Sequence, residues 1–130
     1  DETLLHLGDH YLATLDDKVR AVMESVIRSA QEDKDSVGGV IECMALHLPV
    51  GLGEPYFDSV ESTLSQLLFS IPAVKGVEFG DGFSLAGMRG SEANDPMTIK
   101  GDKVVTTTNR NGGILGGLTN GHRPSCSVLS

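Results

Sequence analysis

The sequence predicts an α+β fold, a sandwich built on an antiparallel sheet. Three observations predict it. A long amphipathic helical pattern comes first among the readable segments, a shorter one follows a strand, and the remainder is β-rich. The order α, β, α, β and then β-rich leaves connections too short for several parallel crossovers, each of which needs about a dozen residues.

Residues 1–14 have mixed polarity and weak periodicity and assign to no element. From about Asp16 to Gln31, Val19, Val22, Met23, Val26, Ile27 and Ala30 recur at helical spacing and make one face. Asp16 and Asp17 suit the positive end of that helix. Glu32-Asp33-Lys34-Asp35-Ser36 is a solvated exit before the Gly38-Gly39 break. Val40 to Leu48 reads as a strand, with Val40, Glu42, Met44, Leu46 and Leu48 on one face and Ile41, Cys43, Ala45 and His47 on the other. Both faces are largely apolar, which predicts cover on both sides.

Pro49 to Pro55 is a loop. Asp58 and Glu61 predict the N-terminus of a second helix, capped by Asp58. Val60, Leu64, Leu67, Leu68 and Ile71 form its apolar face, and Pro72 stops it. Val74 to Phe79 is a short strand and Gly80-Asp81-Gly82 a turn. Phe83 to Arg89 reads equally as strand or short helix. Ser91 to Lys100 is polar around Asn94-Asp95-Pro96 and reads as a mobile loop. Val104 to Thr108 is a β-branched strand leading into a glycine-rich segment.

The chain has 130 residues, enough for one small domain. At 39% hydrophobic it has material for a core, and with 5% aromatic residues and no Trp that core must be aliphatic. A formal charge of −8 argues against a nucleic-acid backbone or an anionic membrane as partner. An anionic small substrate stays compatible, because local Arg and Lys residues override net charge. Cys43 and Cys126 are the only cysteines and lie far apart with no CxxC, which fits a reducing cytosol rather than a disulfide framework or a zinc site. No apolar run approaches a membrane span, and no signal peptide opens the chain. The first residue is Asp1, so the chain reads as processed, excised or incomplete at its start.

The segment Asn109-Arg110-Asn111-Gly112-Gly113-Ile114-Leu115-Gly116-Gly117-Leu118-Thr119-Asn120-Gly121 holds five glycines within ten residues. Each glycine costs backbone entropy on folding. Keeping them implies a backbone cradle for a flat or phosphorylated cofactor, or a tight turn packed against another backbone; spacing leaves both open. It is not a Walker A loop, since no Gly-Lys-Ser/Thr follows, and no helical pattern follows to make a Rossmann fingerprint. His6 and His10 have i, i+4 spacing but no HExxH and no further ligand, so solvated surface is the better reading. His47 reads as a structural histidine. No nucleophile, base and orienter occur together, and Ser70 and Ser84 lack an elbow context. Glu54, Glu78, Asp81, Glu92 and Asp95 scatter around the loops, where solvation and capping account for them. Arg89, Arg110 and Lys75 are candidates for an anion beside the glycine segment or for ion pairs. No catalytic residue and no metal ligand is assigned.

Five blocks in order are more specific than any one of them. They are Asp35-Ser36-Val37-Gly38-Gly39, Pro49-Val50-Gly51-Leu52-Gly53-Glu54-Pro55-Tyr56-Phe57-Asp58, Ile71-Pro72-Ala73-Val74-Lys75-Gly76-Val77-Glu78-Phe79-Gly80-Asp81-Gly82-Phe83, Met88-Arg89-Gly90-Ser91-Glu92-Ala93-Asn94-Asp95 and the glycine segment. This ordered set closely resembles chorismate synthase from about Asp16 to Gly121, as an internal segment of roughly a third of a full family member within a single partial domain.

The resemblance implies a part of a β-α-β sandwich and a lyase of the shikimate pathway to aromatic amino acids. The family makes chorismate and phosphate from 5-enolpyruvylshikimate 3-phosphate by 1,4-anti elimination. It requires reduced FMN, which donates an electron transiently, and it is a cytoplasmic homotetramer. Two flavin contacts of the family match Pro72 and Ala73, and a third matches Gly116. Many relatives carry Asn where Pro72 stands; a contact through the carbonyl survives that change, and one through an amide donor does not. The family's Gly-Glu-Ser-His-Gly, Arg-Ser-Ser, Lys-Pro-Thr and Arg-His-Asp-Pro segments, which hold its catalytic histidines, its acid and most phosphate-binding arginines, have no counterpart here. The chain alone is therefore expected to be inactive. The rival readings are a non-catalytic binding or oligomerisation module and a pseudogene product.

Residues 122–130, His122-Arg123-Pro124-Ser125-Cys126-Ser127-Val128-Leu129-Ser130, depart from the family pattern. Codons for Pro124 to Ser130 can be chosen so that reading two bases in yields Val-Leu-Phe-Arg-Val-Val, the family-like strand. A frameshift is thus one reading of this tail, to be settled by the coding DNA.

Overall fold

The computed structural model describes residues 11–121 and 125–129, the latter as main chain. The chain divides into two compact units, Asp1–Gly38 and Gly39–Ser130. Helix α1 spans Asp17–Glu32 in the first unit. Asp16 caps it by accepting from the Lys18 N–H at 2.7 Å, and Arg20 pairs with Asp17 at 2.8 Å across one turn. Lys34, at φ 57°, turns the chain out of the helix. The stripe Val19, Val22, Met23 and Val26 is exposed along its length.

The second unit is α+β with antiparallel sheets. Strands β1 (Val40–Met44), β2 (Gly76–Phe79) and β7 (Ser125–Leu129) form one sheet in the order β1-β7-β2. Helix α2 (Val60–Phe69) precedes β2, and a 3-10 turn at Tyr56–Asp58 leads into it. A second 3-10 segment, Gly82–Gly87, and a single helical turn α3, Gly90–Ala93, lead to the hairpin β3 (Met97–Lys100) and β4 (Lys103–Thr106). The two-residue strands β5 (Ile114–Leu115) and β6 (Leu118–Thr119) make a third, small sheet.

Several local expectations change. The first strand stops at Met44 rather than Leu48 because the chain bends there, with His47 at φ 61°, which no strand accommodates. His47 is therefore exposed outside the strand and not on a packed face. Val40–Met44 is exposed on both faces, not covered. The N-cap of α2 is Ser59, which accepts from the Ser62 N–H at 3.1 Å; the 3-10 turn occupies Asp58. The segment read as a mobile loop is α3 followed by β3, because Met97-Thr98-Ile99 alternates and pairs antiparallel with Val104-Val105-Thr106. Gly82–Gly87 resolves the open alternative in favour of helix. His6, His10 and His122 lie outside the described residues.

The core of the second unit sits at the glycine segment. Gly112, Gly113, Ile114, Gly117 and Thr119 are all buried, and Ile114 is 3% exposed.

Candidate functional site

Asp95 starts the site. It is 3% exposed and accepts four hydrogen bonds, from Thr108 Oγ1 at 2.6 Å, the Arg110 N–H at 2.8 Å, the Asn111 N–H at 2.9 Å and Asn111 Nδ2 at 3.0 Å. Burial alone pushes its carboxyl upward. The bonds from Thr108, Asn111 and Arg110 outweigh it and hold the group below the usual carboxylate value. The short turn between α3 and β3 thereby fixes how the glycine segment begins. Asn111 Nδ2 also donates to the Ala93 carbonyl at 3.2 Å.

Arg110 is fixed at its other end. Its Nη1 pairs with Asp81 Oδ2 at 2.9 Å and contacts Met88 Sδ at 3.3 Å, while its carbonyl accepts from the Asp81 N–H at 2.7 Å. The ion-pair reading of Arg110 is thus the one its geometry supports. Just before Asp81, Gly80 lies flat against the segment: a Cβ there would overlap the Arg110 carbonyl oxygen and the Gly112 nitrogen.

From Gly112 the chain folds into a hairpin. Leu115 pairs with Leu118, and the two residues between them, Gly116 and Gly117, have φ of 61° and 86°. Two successive positive φ values are the requirement of a type I′ turn. Gly117 points inward. Its carbonyl accepts the Val60 N–H at 3.0 Å, at the first turn of α2, and a Cβ on it would fall 2.8 Å from the Cβ of Ser59. Thr119, 2% exposed, ties the hairpin to residues 49–52: its Oγ1 donates to the Pro49 carbonyl at 2.6 Å and accepts from the Leu52 N–H at 3.0 Å.

Gly116 is different. It is the exposed tip of this buried hairpin, and a Cβ added to it would meet nothing within 4 Å. The packed-turn reading of the glycine segment therefore holds at Gly117, whose backbone is in contact, while the backbone of Gly116 is open.

Pro72 and Ala73 form another turn. The Val74 N–H reaches the Ile71 carbonyl at 3.4 Å, and Ala73 has φ 71°. Proline followed by a positive φ is a type II turn, where glycine is the ordinary choice at the second position. An alanine there carries about 1 kcal/mol of backbone strain. This turn follows the C-terminal end of α2, whereas Gly117 meets its N-terminal end. The candidate contacts Pro72 and Ala73 are thus separated from the hairpin by a helix about 15 Å long.

Among the other sequence candidates, Glu92 caps α3 by accepting from the Arg89 N–H at 2.8 Å. Among the described residues no group of His, Cys, Asp and Glu has the geometry to hold a metal, and no helix is long and apolar enough to cross a membrane. The clamp at Asp95 escaped sequence reasoning. Its only signals were an Asp before a proline and the donor-rich run Thr106-Thr107-Thr108-Asn109.

The sequence and the fold are similar to those of known proteins. The model of the chorismate synthase family matches residues 4–129. The chain is 56% identical over 99 residues to the chorismate synthase of Dehalococcoides mccartyi (strain BAV1), covering 76% of this chain and 27% of that protein. It is 54% identical over 101 residues to that of Thermococcus kodakarensis, covering 78% and 28%, and 51% identical over 106 residues to that of Pyrococcus abyssi, covering 82% and 30%. A chorismate synthase crystal structure superposes with a TM-score of 0.89 at 32% identity, covering 98% of this chain and 40% of the other. The chain spans less than a third of the length of these three curated relatives.

Proposed function

Because this chain belongs to the chorismate synthase family, we propose that it forms one wall of the reduced-FMN site of a chorismate synthase. The reaction is conversion of 5-enolpyruvylshikimate 3-phosphate to chorismate and phosphate, in a cytoplasmic homotetramer. The observation that carries the reading is Gly116, the open tip of a hairpin whose neighbours are buried.

The residues present fit a planar cofactor. Gly116 offers main chain without a side chain in the way, and Asp95, Asp81 and Thr119 hold the hairpin rigid behind it. The exposed Pro72–Ala73 turn offers main-chain groups at the far end of α2, so it would meet a different part of the same elongated ligand. Reduced FMN supplies the transient electron that lets phosphate leave. This chain's share is to hold and orient; the proton transfers belong to family segments with no counterpart in the sequence. The open apolar stripe of α1 and the open faces of β1 suit a segment that the rest of a larger fold covers.

Placing residues 16–121 into the matching stretch of the Pyrococcus abyssi protein tests the reading. The chimera should release phosphate from 5-enolpyruvylshikimate 3-phosphate within about tenfold of the parent rate, only with reduced FMN. The 130-residue chain alone should release none. A folded chimera that binds no FMN would overturn the assignment.

A further inference from the structure

Cys43 and Cys126 are the only two cysteines of the sequence, 83 positions apart, and the fold sets them directly opposite one another. They are Cα partners in the antiparallel ladder between β1 and β7. Directly opposed residues share a face of the sheet, with Cα atoms about 4.5 or 5.5 Å apart depending on the hydrogen-bonding phase. Both spacings fall within the roughly 4.4–6.8 Å that a disulfide spans. Cys43 is exposed and free, and β1 lies at the edge of the three-stranded sheet, so an oxidant reaches it without disturbing the core.

We propose that Cys43 and Cys126 form a reversible thiol–disulfide pair that staples the edge strand β1 to the central strand β7. The oxidant is a low-molecular-weight disulfide. One cysteine thiolate attacks a sulfur of that disulfide and releases one thiolate. The second cysteine thiolate then attacks the mixed disulfide and releases the other. Two protein S–H bonds become one S–S bond, two protons leave, and the small disulfide is reduced to two thiols. A reducing compartment keeps the pair open, and a shift to oxidising conditions closes it. The proposal rests on strand register and stands independently of the flavin reading.

The experiment is oxidation of the full chain with oxidised glutathione, followed by thiol counting and peptide mass mapping. The expected result is a fall from two free thiols to none, a loss of two hydrogens without a retained glutathione, and a peptide linking residue 43 to residue 126 that dithiothreitol releases. Closure should be at least ~10-fold faster in native buffer than in concentrated urea, because pairing of the strands holds the thiols together. The variants Cys43→Ser and Cys126→Ser should each retain one glutathione instead. A stable glutathione adduct on Cys43 with Cys126 still reduced would overturn the proposal. So would disulfide-linked dimers in place of the internal link, or equal closure rates in buffer and urea.

Discussion

Oδ2 of Asp95 accepts twice from Asn111, from the main-chain N–H at 2.9 Å and from the side-chain amide at 3.0 Å. One carboxylate oxygen thus fixes both the backbone and the side chain of the residue just before Gly112. Asp95→Ala deprives those donors, together with the Thr108 hydroxyl and the Arg110 N–H, of their shared buried acceptor. The expected loss is about 3 kcal/mol, read as a lower urea midpoint. An unchanged midpoint would mean that the clamp is not holding the segment.

The same group sets an acid limit. The folded carboxyl of Asp95 titrates below its unfolded value of 3.8, so its contribution to stability is present above that pH and is lost as pH falls through the folded value. Urea midpoints measured from pH 6 downward should decline most steeply below about pH 4, and Asp95→Asn should flatten that limb.

Gly80 and Gly116 separate packing from access. Gly80→Ala pushes a methyl group into the main chain of Arg110 and Gly112 and should destabilise by about 3 kcal/mol. Gly116→Ala meets open space and should lose only about 1 kcal/mol, for its positive φ. In the chimera, Gly116→Val should weaken FMN binding at least ~10-fold while leaving the circular dichroism spectrum unchanged. Equal thermal shifts for the two alanine variants would contradict the packing difference.

Ala73→Gly should stabilise rather than destabilise. It relieves the φ of 71° in the Pro72–Ala73 turn, with a net gain of about 0.5 kcal/mol after the added freedom of the unfolded chain. A lower melting temperature for this variant would contradict the strain.

Thr119→Val keeps the side-chain volume and deletes both bonds of Oγ1, to Pro49 and from Leu52. The expected loss is about 1.5 kcal/mol, with faster amide exchange at Leu52 as the direct readout.

Helices α1 and α2 were legible because their signals are local. The stripe of α1 and the proline after α2 mark them within a few residues. The ordered blocks gave the family from sequence alone, and its model matches most of the chain. The end of β1 was not legible, because a left-handed His47 leaves no compositional trace. The polar run around Asp95 concealed α3 and β3, since its hydrogen bonds go to residues 13 to 16 positions away. The division between Gly116 and Gly117 was equally hidden. Both are glycine, and only the position of Ser59 makes one a contact and the other a vacant surface.

The order β1-β7-β2 has a consequence for synthesis. Val40 pairs with Leu129 and Gly76 also pairs with Leu129, so among the described residues neither outer strand finds its ladder partner until the ribosome has added residues 125–129. At about 5–20 residues per second, several seconds separate the synthesis of β1 from that of β7. This three-stranded sheet is therefore zipped by its central strand, which joins β1 and β2 only after both have been made.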